Sequence, residues 1–195
     1  MSESTIKGLH VGVGMTGSFC TFETIFGSLA DLRTLGAELT FVLSYNAQQL
    51  TSRFGTPERL LERIGALSGK PPILTIPAAE PLGPEGLLDL FLIAPCTGNT
   101  LAKLANGITD TPVLMAAKGH LRNGKPLVIF LSTNDALGAN LRNIGSLLNA
   151  KGVTFVPFAQ DAPFKKPNSL VSWPERLRET LEAAMRGEQL QPLLA

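Results

Sequence analysis

Residues 87–110, LLDLFLIAPCTGNTLAKLANGITD, decide the fold of this chain. The apolar run Leu88–Ala94 has the length of a strand and is nearly unbroken, which is typical of a central parallel strand covered on both faces. After Pro95 the sequence becomes small and polar, and a helical pattern follows that Thr97 or Asn99 can cap. A strand, a polar loop and a helix in this order present hydroxyls and backbone N–H groups to a ligand. The loop is therefore predicted to be a ligand site.

The rest of the chain repeats this alternation of short β-rich runs and helical patterns. The spacing predicts further strands at 9–13, 38–43, 73–76, 113–117, 126–131 and 153–158. It predicts helices within 18–35, from Pro57 to just before Gly69, over 97–106, over 137–150 and over 173–185. Strands that alternate with helices imply an α/β fold: a doubly wound, Rossmann-like parallel sheet of about six strands with helices on both faces.

Length and composition bound the class of protein. With 195 residues, 44% of them hydrophobic and 17% charged, one domain over 1–195 is expected, with a tail at 1–6 and a C-terminal helix and tail at 173–195. A net charge of +1 gives no field for gathering nucleic acid. No leader pattern is present, and no apolar run approaches the roughly 20 residues of a membrane span, so a cytoplasmic protein is expected. The sequence predicts no metal site, and Cys20 and Cys96 are expected to be unpaired thiols.

The carboxyl ends of the strands gather polar residues from four distant loops, which is where such sheets bind ligands. These residues are Gly14, Met15, Thr16, Gly17 and Ser18 after the first strand, Ser44 after the second, Thr97–Thr100 after the central strand, and Ser132–Asp135 after the 126–131 strand. Glycines at 12, 14 and 17 let a phosphate approach the backbone, and the hydroxyls of Thr16 and Ser18 add hydrogen-bond donors. The spacing is neither a Walker A loop nor a dinucleotide fingerprint, which needs a third glycine. A phosphate cradle and a plain glycine-rich turn both remain open.

The loop Pro95-Cys96-Thr97-Gly98-Asn99-Thr100 resembles the Pro-Ala-Ser-Ala-Asn-Thr signature of the FMN-binding flavoprotein family, which includes homo-oligomeric flavin-containing cysteine decarboxylases. It keeps the proline, the asparagine and the final threonine, and it changes the middle three residues. The resemblance implies an FMN site in which the first loop and Ser44 hold the phosphate. The cofactor-binding residues that it implies are Gly14, Thr16, Gly17, Ser18, Ser44, Pro95, Thr97, Gly98, Asn99, Thr100, Ser132 and Thr133.

Three longer strings resemble one branch of this family, the B subunits of a two-subunit synthase of spore-forming bacteria. They are AEPLGP at 79–84, STNDALG at 132–138 and FAQDAPFKKPNS at 158–169, and almost the whole chain around them is similar. The resemblance implies oxidation of a dihydro-level precursor to pyridine-2,6-dicarboxylate, late in the lysine branch, in the mother cell during sporulation. It implies a dehydrogenase-like A subunit with NAD(P) as partner. It also implies a homo-oligomer, a trimer or a multiple of one, with Phe19, Phe22 and Phe54 suited to an interface.

Two departures from the decarboxylase relatives bear on the activity. Those enzymes use a histidine near the flavin, whereas His10 is expected to be structural within the first strand and His120 to lie in a surface loop. The relatives that act on cysteinyl peptides use a late cysteine, and none follows Cys96. Peptidyl-cysteine decarboxylation is therefore disfavoured, and no catalytic residue is assigned. Two alternatives remain: an FMN-dependent decarboxylase of the same fold, and a non-catalytic assembly or substrate-binding subunit whose cradle is a phosphate-binding remnant.

A dianionic substrate needs cations and N–H donors, and five side chains are predicted to supply them. They are Asn134, Asn140, Arg142, Lys165 and Lys166. The two lysines lie in the segment 161–169, which is predicted to cover a ligand, with a solvated surface loop as the alternative. Cys96 could contact a flavin edge but is expected to pack as a buried thiol, and Asp110 is expected to cap or orient the loop.

Overall fold

Seven strands form one sheet within residues 5–194, which are the residues that this computed structural model describes. The strands are β1 (His10–Met15), β2 (Glu38–Leu43), β3 (Leu90–Cys96), β4 (Leu127–Thr133), β5 (Val153–Phe155), β6 (Phe158–Ala159) and β7 (Leu170–Ser172). The helices are α1 (Phe22–Thr34), α2 (Tyr45–Gln49), α3 (Pro57–Ser68), α4 (Ile76–Ala79), α5 (Gly98–Ala105), α6 (Pro112–Arg122), α7 (Leu141–Leu148) and α8 (Leu177–Met185). Short 3-10 turns lie at Phe19–Thr21, Glu80–Leu82 and Pro174–Arg176. The predicted α/β fold class is confirmed.

The strands β2, β1, β3, β4 and β5 pair in parallel, in that order. Beyond the end of β5, β4 takes an antiparallel neighbour, with Ser132 opposite Val171 and Thr133 opposite Leu170 of β7. The short strand β6 completes the edge beside β7. The carboxyl ends of β1, β3 and β4 therefore share one edge of the sheet, and the last two strands wall that edge on one side.

Successive side chains of β3 enter two different apolar cores. Leu90 and Leu92 pack in the core formed with α1, α3 and α8, whereas Phe91 and Ile93 pack in the core formed with α5, α6 and α7. A strand buried on both faces has no polar side, which explains its continuous apolar run. Helices therefore cover both faces of the sheet, as the sequence predicts.

The strand predicted at 113–117 is wrong, because these residues lie in α6. Thr111 caps this helix by accepting the N–H of Leu114 at 3.3 Å, and Pro112 occupies its first turn. The run is apolar because the helix buries one side against the sheet, with Val113 and Ala117 fully buried. An apolar run of five residues cannot be assigned to a strand or a helix by periodicity alone.

The strand predicted at 73–76 reduces to a single bridge between Ile73 and Val42. Thr75 accepts the N–H of Ala78 at 3.3 Å and so starts α4, with a proline in its first turn. A helical cap and a proline together prevent the chain from continuing as a strand.

Two further predicted elements are shorter than expected. The strand predicted at 153–158 is divided at Pro157, which has no N–H for the ladder. The helix predicted at 137–150 begins only at Leu141, because the Asp135 carbonyl accepts the N–H groups of Gly138 and Asn140 in a preceding turn.

The ends of the chain are placed only in part. Residues 1–4 and 195 lie outside the described residues, so most of the predicted tail at 1–6 lies there, while Ile6 is fully buried in the core beside α1. The predicted C-terminal helix is α8, preceded by the 3-10 turn Pro174–Arg176. Within residues 5–194, every helix is too short or too polar to cross a membrane.

Candidate functional site

A cleft of about 870 Å³ opens at the carboxyl edge of the sheet, between the loops after β1, β3 and β4 and the segment that leads to β7. The predicted site residues that line it are Gly17, Ser18, Thr97, Gly98, Ser132, Thr133, Asn134 and Lys166. A smaller pocket of about 140 Å³ shares Gly17 and Thr97 with the cleft and is also lined by Ser44, Asn99 and Thr100. Four loops that are distant in sequence thus meet at one edge, as the topology requires.

Thr16 joins the first of these loops to the third. Its buried hydroxyl donates to the Pro95 carbonyl at 2.7 Å and accepts the N–H of Thr97 at 3.0 Å. Pro95 lies inside β3, next to the point where the register of β3 against β4 shifts. The only proton of the Thr16 hydroxyl is therefore used within the protein, and Thr16 and Pro95 fix the position of the loop.

Three hydroxyls form a hydrogen-bonded triangle on the cleft. The oxygens of Ser18 and Ser132 are 2.8 Å apart, those of Thr21 and Ser132 are 2.8 Å apart, and those of Ser18 and Thr21 are 3.2 Å apart. Each hydroxyl has one proton and two lone pairs, so the triangle keeps acceptor capacity for a ligand. Thr21 is a site residue that the strand-end pattern does not predict, although its position three residues after Ser18, in a loop before a helix, is a signal for it.

Gly98, the first residue of α5, is where the loop after β3 meets the loop after β4. A Cβ there would lie 2.5 Å from Thr133 Oγ1, 2.6 Å from Asn140 Nδ2 and 2.7 Å from Asp135 Oδ1. The Asp135 carboxylate accepts hydrogen bonds from Thr133 at 2.6 Å and from Asn140 at 2.8 Å. Asn140 accepts in turn from Asn143 at 2.9 Å, and both asparagines are buried. The glycine permits this close approach, and Asn140, predicted to bind substrate, serves the network beneath the loop.

Capping residues of two helices border the small pocket. Thr97 caps α5 by accepting an N–H at 3.3 Å, and Ser44 caps α2 in the same way at 3.4 Å. Lys103 lies on the wall of this pocket, where its ammonium group pairs with Asp110 at 2.6 Å. Asp110 thus holds a lysine beside the loop. Hydroxyls, N–H groups at the start of α5 and a lysine are all groups that bind phosphate.

Two of the predicted phosphate-loop glycines serve packing inside the sheet. A Cβ on Gly14 would lie 2.8 Å from Val113 Cγ1, and one on Gly12 would lie 2.5 Å from Phe91 Cδ2. Both lie within β1, where the missing side chains make room for neighbouring elements. Gly17 lies in the loop itself and lines both pockets, so the predicted close approach of a phosphate depends on Gly17.

Of the predicted cationic residues, Lys166 reaches the cleft. Its ammonium group lies 2.8 Å from Asp161 Oδ2. Partial burial raises the pKa of Asp161, but hydrogen bonds from Lys166 and Ser169 outweigh it and hold that pKa below its usual range. Lys165 and Arg142 are exposed and lie outside the residues that line the cleft.

Neither histidine lines the cleft or the small pocket. His120, expected in a surface loop, is instead buried in α6, and its Nε2 donates to the Pro126 carbonyl at 3.0 Å. Burial lowers the pKa of His120 to about 4, so it is neutral at pH 7. His10 begins β1 with its ring 3.6 Å from the Glu38 carboxylate. The expectation for His120 failed because residues 113–122 form a helix that packs on the sheet.

The two cysteines have opposite surroundings. Cys96 is fully buried in β3, and burial raises the pKa of its thiol. Cys20 is exposed in the 3-10 turn before α1 and lines the cleft. Arg53 and Trp173 also line the cleft, although the sequence predicts neither of them as a site residue. Trp173 directly follows β7, a three-residue strand that the spacing does not predict, and Arg53 lies in a connection far from any strand end.

The comparisons with known proteins agree with this architecture. A family model described as Flavoprotein matches residues 1–178, and the chain belongs to the flavoprotein family. Within that family it is a homologue of the B subunit of dipicolinate synthase: the protein from Bacillus subtilis (strain 168) is 47% identical over 191 residues, 98% of this chain and 96% of the relative.

Solved structures give the same picture. The crystal structure of the dipicolinate synthase B subunit from Bacillus halodurans has a TM-score of 0.89 and 46% identity, covering 97% of this chain and 97% of that one. The FMN-dependent cysteine decarboxylase SpaF has a TM-score of 0.70 at 24% identity, covering 92% of this chain and 99% of that one. The second likeness shows a shared fold.

Proposed function

We propose that this chain is the B subunit of a dipicolinate synthase and acts with a nicotinamide-binding A subunit. The two-subunit enzyme oxidises a dihydrodipicolinate-level precursor to pyridine-2,6-dicarboxylate during sporulation, late in the lysine branch, with NAD(P) on the A subunit. The observation that carries this proposal is the likeness to dipicolinate synthase B subunits along almost the whole of both chains. The proposal extends to a homo-oligomer in the cytoplasm of the mother cell.

FMN is the cofactor that the family implies, and the small pocket suits its phosphate. Hydroxyls from Ser44 and Thr100, the first N–H groups of α5 and the side chain of Asn99 surround a space of about 140 Å³. Thr97 donates its own proton to Thr100 at 3.1 Å, which leaves the Thr100 proton for a ligand. Helix N-termini with nearby hydroxyls are favourable sites for a phosphate because the first N–H groups have no partner within the helix. In this proposal these groups hold the phosphate, and Thr16 fixes the loop that carries them.

The adjoining cleft suits the remainder of the cofactor. The triangle of Ser18, Thr21 and Ser132 offers acceptor oxygens to the hydroxyl groups of a ribityl chain. When bound, the flavin supplies a group that accepts and donates hydride. The protein contributes orientation and exclusion of water on the side walled by β6 and β7.

The polar groups of the cleft favour a subunit that binds and orients. Its titratable residues are Cys20, Arg53, Asp135, Asp161, Lys166 and Glu175. Asp161 and Lys166 pair with each other, and Asp135 accepts from two neighbours. No histidine lines the cleft in the described part of the chain. This pattern supports the second candidate function, in which the chain completes a substrate site while the nicotinamide subunit takes the hydride.

Two measurements test the proposal. The full chain is purified alone and its absorbance is recorded before and after FMN is added and the excess removed. It is then mixed with the A subunit, the dihydrodipicolinate-level precursor and oxidised NAD(P) as the hydride acceptor, and formation of pyridine-2,6-dicarboxylate is followed. A yellow chain and an active mixture support a flavin-dependent role, whereas a colourless chain with an active mixture assigns the chain to substrate binding. An inactive mixture overturns the proposed synthase.

Matched variants sharpen the flavin measurement. Ser44→Ala and Asn99→Ala remove groups from the small pocket and are expected to lower FMN retention. Ser146→Ala, which removes an exposed hydroxyl on α7, is the control. Release of carbon dioxide by the chain alone from a cysteinyl peptide would instead favour the FMN-dependent decarboxylase.

A further inference from the structure

We propose that a second cavity, the arginine pocket, holds the planar dianionic ring of a pyridine dicarboxylate or of its dihydro precursor. This pocket, of about 240 Å³, lies between the start of α1, the 50–57 connection and the start of α3. Its apolar walls include Phe19, Phe22 and Phe54, and its charged lining residues are Arg59, Arg63 and Glu23, the last two paired with each other. The identity of the ligand rests on the proposed function, whereas the chemistry of the pocket specifies a flat anion.

The apolar walls suit a single aromatic ring. Phe19 and Phe22 meet edge to face with their ring centroids 5.4 Å apart. Phe54 belongs to the 50–57 connection and is half exposed. A flat ring gains both burial and aromatic contact in such a slot. The phenyl rings disfavour a highly hydrated anion such as free phosphate, because they would displace part of its water without replacing the lost hydrogen bonds.

The arginine pocket and the cleft are continuous. Phe19, Cys20, Ser52 and Phe54 line both of them. A ring in the arginine pocket therefore lies next to the space in which the cofactor is proposed to bind. This arrangement would place a dihydropyridine beside a redox group rather than at a remote surface.

Two arginines supply positive charge that the protein leaves unneutralised. Arg63 is occupied, since its guanidinium pairs with Glu23 at 2.7 Å and stacks on Phe26 at 4.1 Å. Arg59 lines the arginine pocket and Arg53 lines the adjoining cleft, and within residues 5–194 neither has a carboxylate within ion-pair distance. Guanidinium groups bind carboxylates through paired hydrogen bonds. Arg59 is placed to meet one carboxylate inside the arginine pocket. Arg53, whose guanidinium lies against the Phe54 ring shared by the pocket and the cleft, is placed to meet the other at their boundary.

Local structure sets both arginines in place. The N–H groups of Ser52 and Gly55 donate to each other's carbonyls at 3.0 and 3.1 Å, and Ser52 Oγ accepts the Phe54 N–H at 3.1 Å. This tight turn exposes Arg53, whose guanidinium lies 4.8 Å from the centre of the Phe54 ring. Thr56 then caps α3 through the N–H of Arg59. The turn and the cap thus fix the backbone at both cations.

Cys20 provides a direct reporter for occupancy. It is exposed and lines the arginine pocket, whereas the other thiol, Cys96, is buried. The full chain, with FMN present, is treated with iodoacetamide, a neutral reagent, and labelling of Cys20 is followed by mass spectrometry. Pyridine-2,6-dicarboxylate, titrated at constant ionic strength, is expected to slow this labelling saturably.

Charge-removing variants identify the groups responsible. Arg53→Gln and Arg59→Gln are each expected to raise the half-protecting concentration about tenfold, as befits one charge-assisted contact. Arg142→Gln is the control and is expected to behave as wild type. All three arginines are exposed, so thermal unfolding should be unchanged and confirms that the variants fold.

The remaining outcomes separate the pocket from the proposed function. No protection, or equal protection in the Arg53→Gln/Arg59→Gln double variant, overturns the pocket. Protection that rises with protein concentration without ligand also overturns it, because a second copy then covers the surface. If the arginines govern protection but the mixture with the A subunit forms no dicarboxylate, the pocket stands and the proposed function falls. If that mixture is active and the double variant matches wild type in both protection and turnover, the function stands and the pocket falls.

Discussion

The hydroxyl of Thr16 donates to the carbonyl of Pro95 at 2.7 Å, across 79 positions of the chain. The same oxygen accepts the Thr97 N–H at 3.0 Å, so one buried side chain ties the loop after β1 to the loop after β3. Thr16, which lies far from the 95–100 loop in sequence, therefore holds that loop in place.

Thr16→Val preserves the shape of the side chain and removes both hydrogen bonds. A buried carbonyl and a buried N–H then lack partners, and each costs about 1–3 kcal/mol of the free energy of unfolding. Urea unfolding monitored by circular dichroism measures the loss. Thr16→Ser keeps the hydroxyl and should retain much of the stability; a Thr16→Val protein as stable as wild type would show that the bonds are not needed.

Gly98→Ala is expected to destabilise the protein by about 1–3 kcal/mol, because the new methyl group must displace a packed polar network. Its Cβ would lie within 2.7 Å of Thr133, Asp135 and Asn140. Gly145→Ala is the matched control, since Gly145 lies in α7 with nothing within 4 Å of a Cβ there. That variant is expected to gain about 0.5–1 kcal/mol. Equal midpoints for the two variants in thermal unfolding would contradict the packing argument.

His120 makes the stability of the protein depend on acid. Its folded pKa of about 4 lies below the value of about 6.5 expected in the unfolded chain, so the unfolded state binds the proton more tightly. Above about pH 6.5 the neutral side chain of His120 costs the folded protein nothing. As the pH falls from 6.5 toward 4, the free energy of unfolding decreases by about 3 kcal/mol, because the unfolded chain takes up the proton first. His120→Gln removes the titration, and its free energy of unfolding should change less over this window. A variant with the wild-type pH profile would refute the assignment.

The Asp161–Lys166 ion pair makes the stability of the protein depend on pH in both the acidic and the alkaline range. The lowered pKa of Asp161 gives stability that is present above the unfolded value and is lost as the pH falls through the folded value. The hydrogen bond to Asp161 raises the pKa of Lys166, which gives stability lost as the pH rises through its folded value. Lys166→Met should raise the pKa of Asp161, measured by carboxyl NMR, while the change in stability stays below about 1 kcal/mol because the pair is partly exposed. Lys165→Met is the control, and an equal shift there would contradict the pairing.

Much of the fold can be predicted because several independent signals agree at β3 and α5. A strand buried on both faces, a proline at its end and a threonine cap all indicate the same strand–loop–helix unit. At α6 the signals conflict, since Val113–Ala117 is apolar and short enough for a strand. The cap at Thr111 and the proline at 112 decide in favour of a helix. Because this signal comes from only two residues, it is easily outweighed by the apolar run that follows.

The sequence predicts where the candidate site lies better than it predicts what each of its residues does. Strand topology alone brings the loops after β1, β3 and β4 together. Which polar atoms are already used inside the protein depends on tertiary contacts, so the internal roles of Thr16 and Asn140 follow no sequence pattern. Arg53 lies in a connection with no helical or strand period, and Arg59 lies in the first turn of α3, where its position resembles any exposed helical arginine, so no local pattern marks either of them.

The strand β4 pairs with β5 along its first half and with β7 at its end, and as a result the two sides of the cleft differ in rigidity. Beyond β5, β4 is held by β7, and the Leu131 N–H donates to Ser172 Oγ, which donates in turn to the Val156 carbonyl. The side that carries Ser132 is therefore part of a hydrogen-bonded ladder and has little freedom left to lose when a ligand binds. The opposite side is the turn at 52–55, closed by bonds between its own ends. A substitution that opens this turn therefore adds an entropy cost to every contact its side chains make with a ligand, without removing an atom from the cleft.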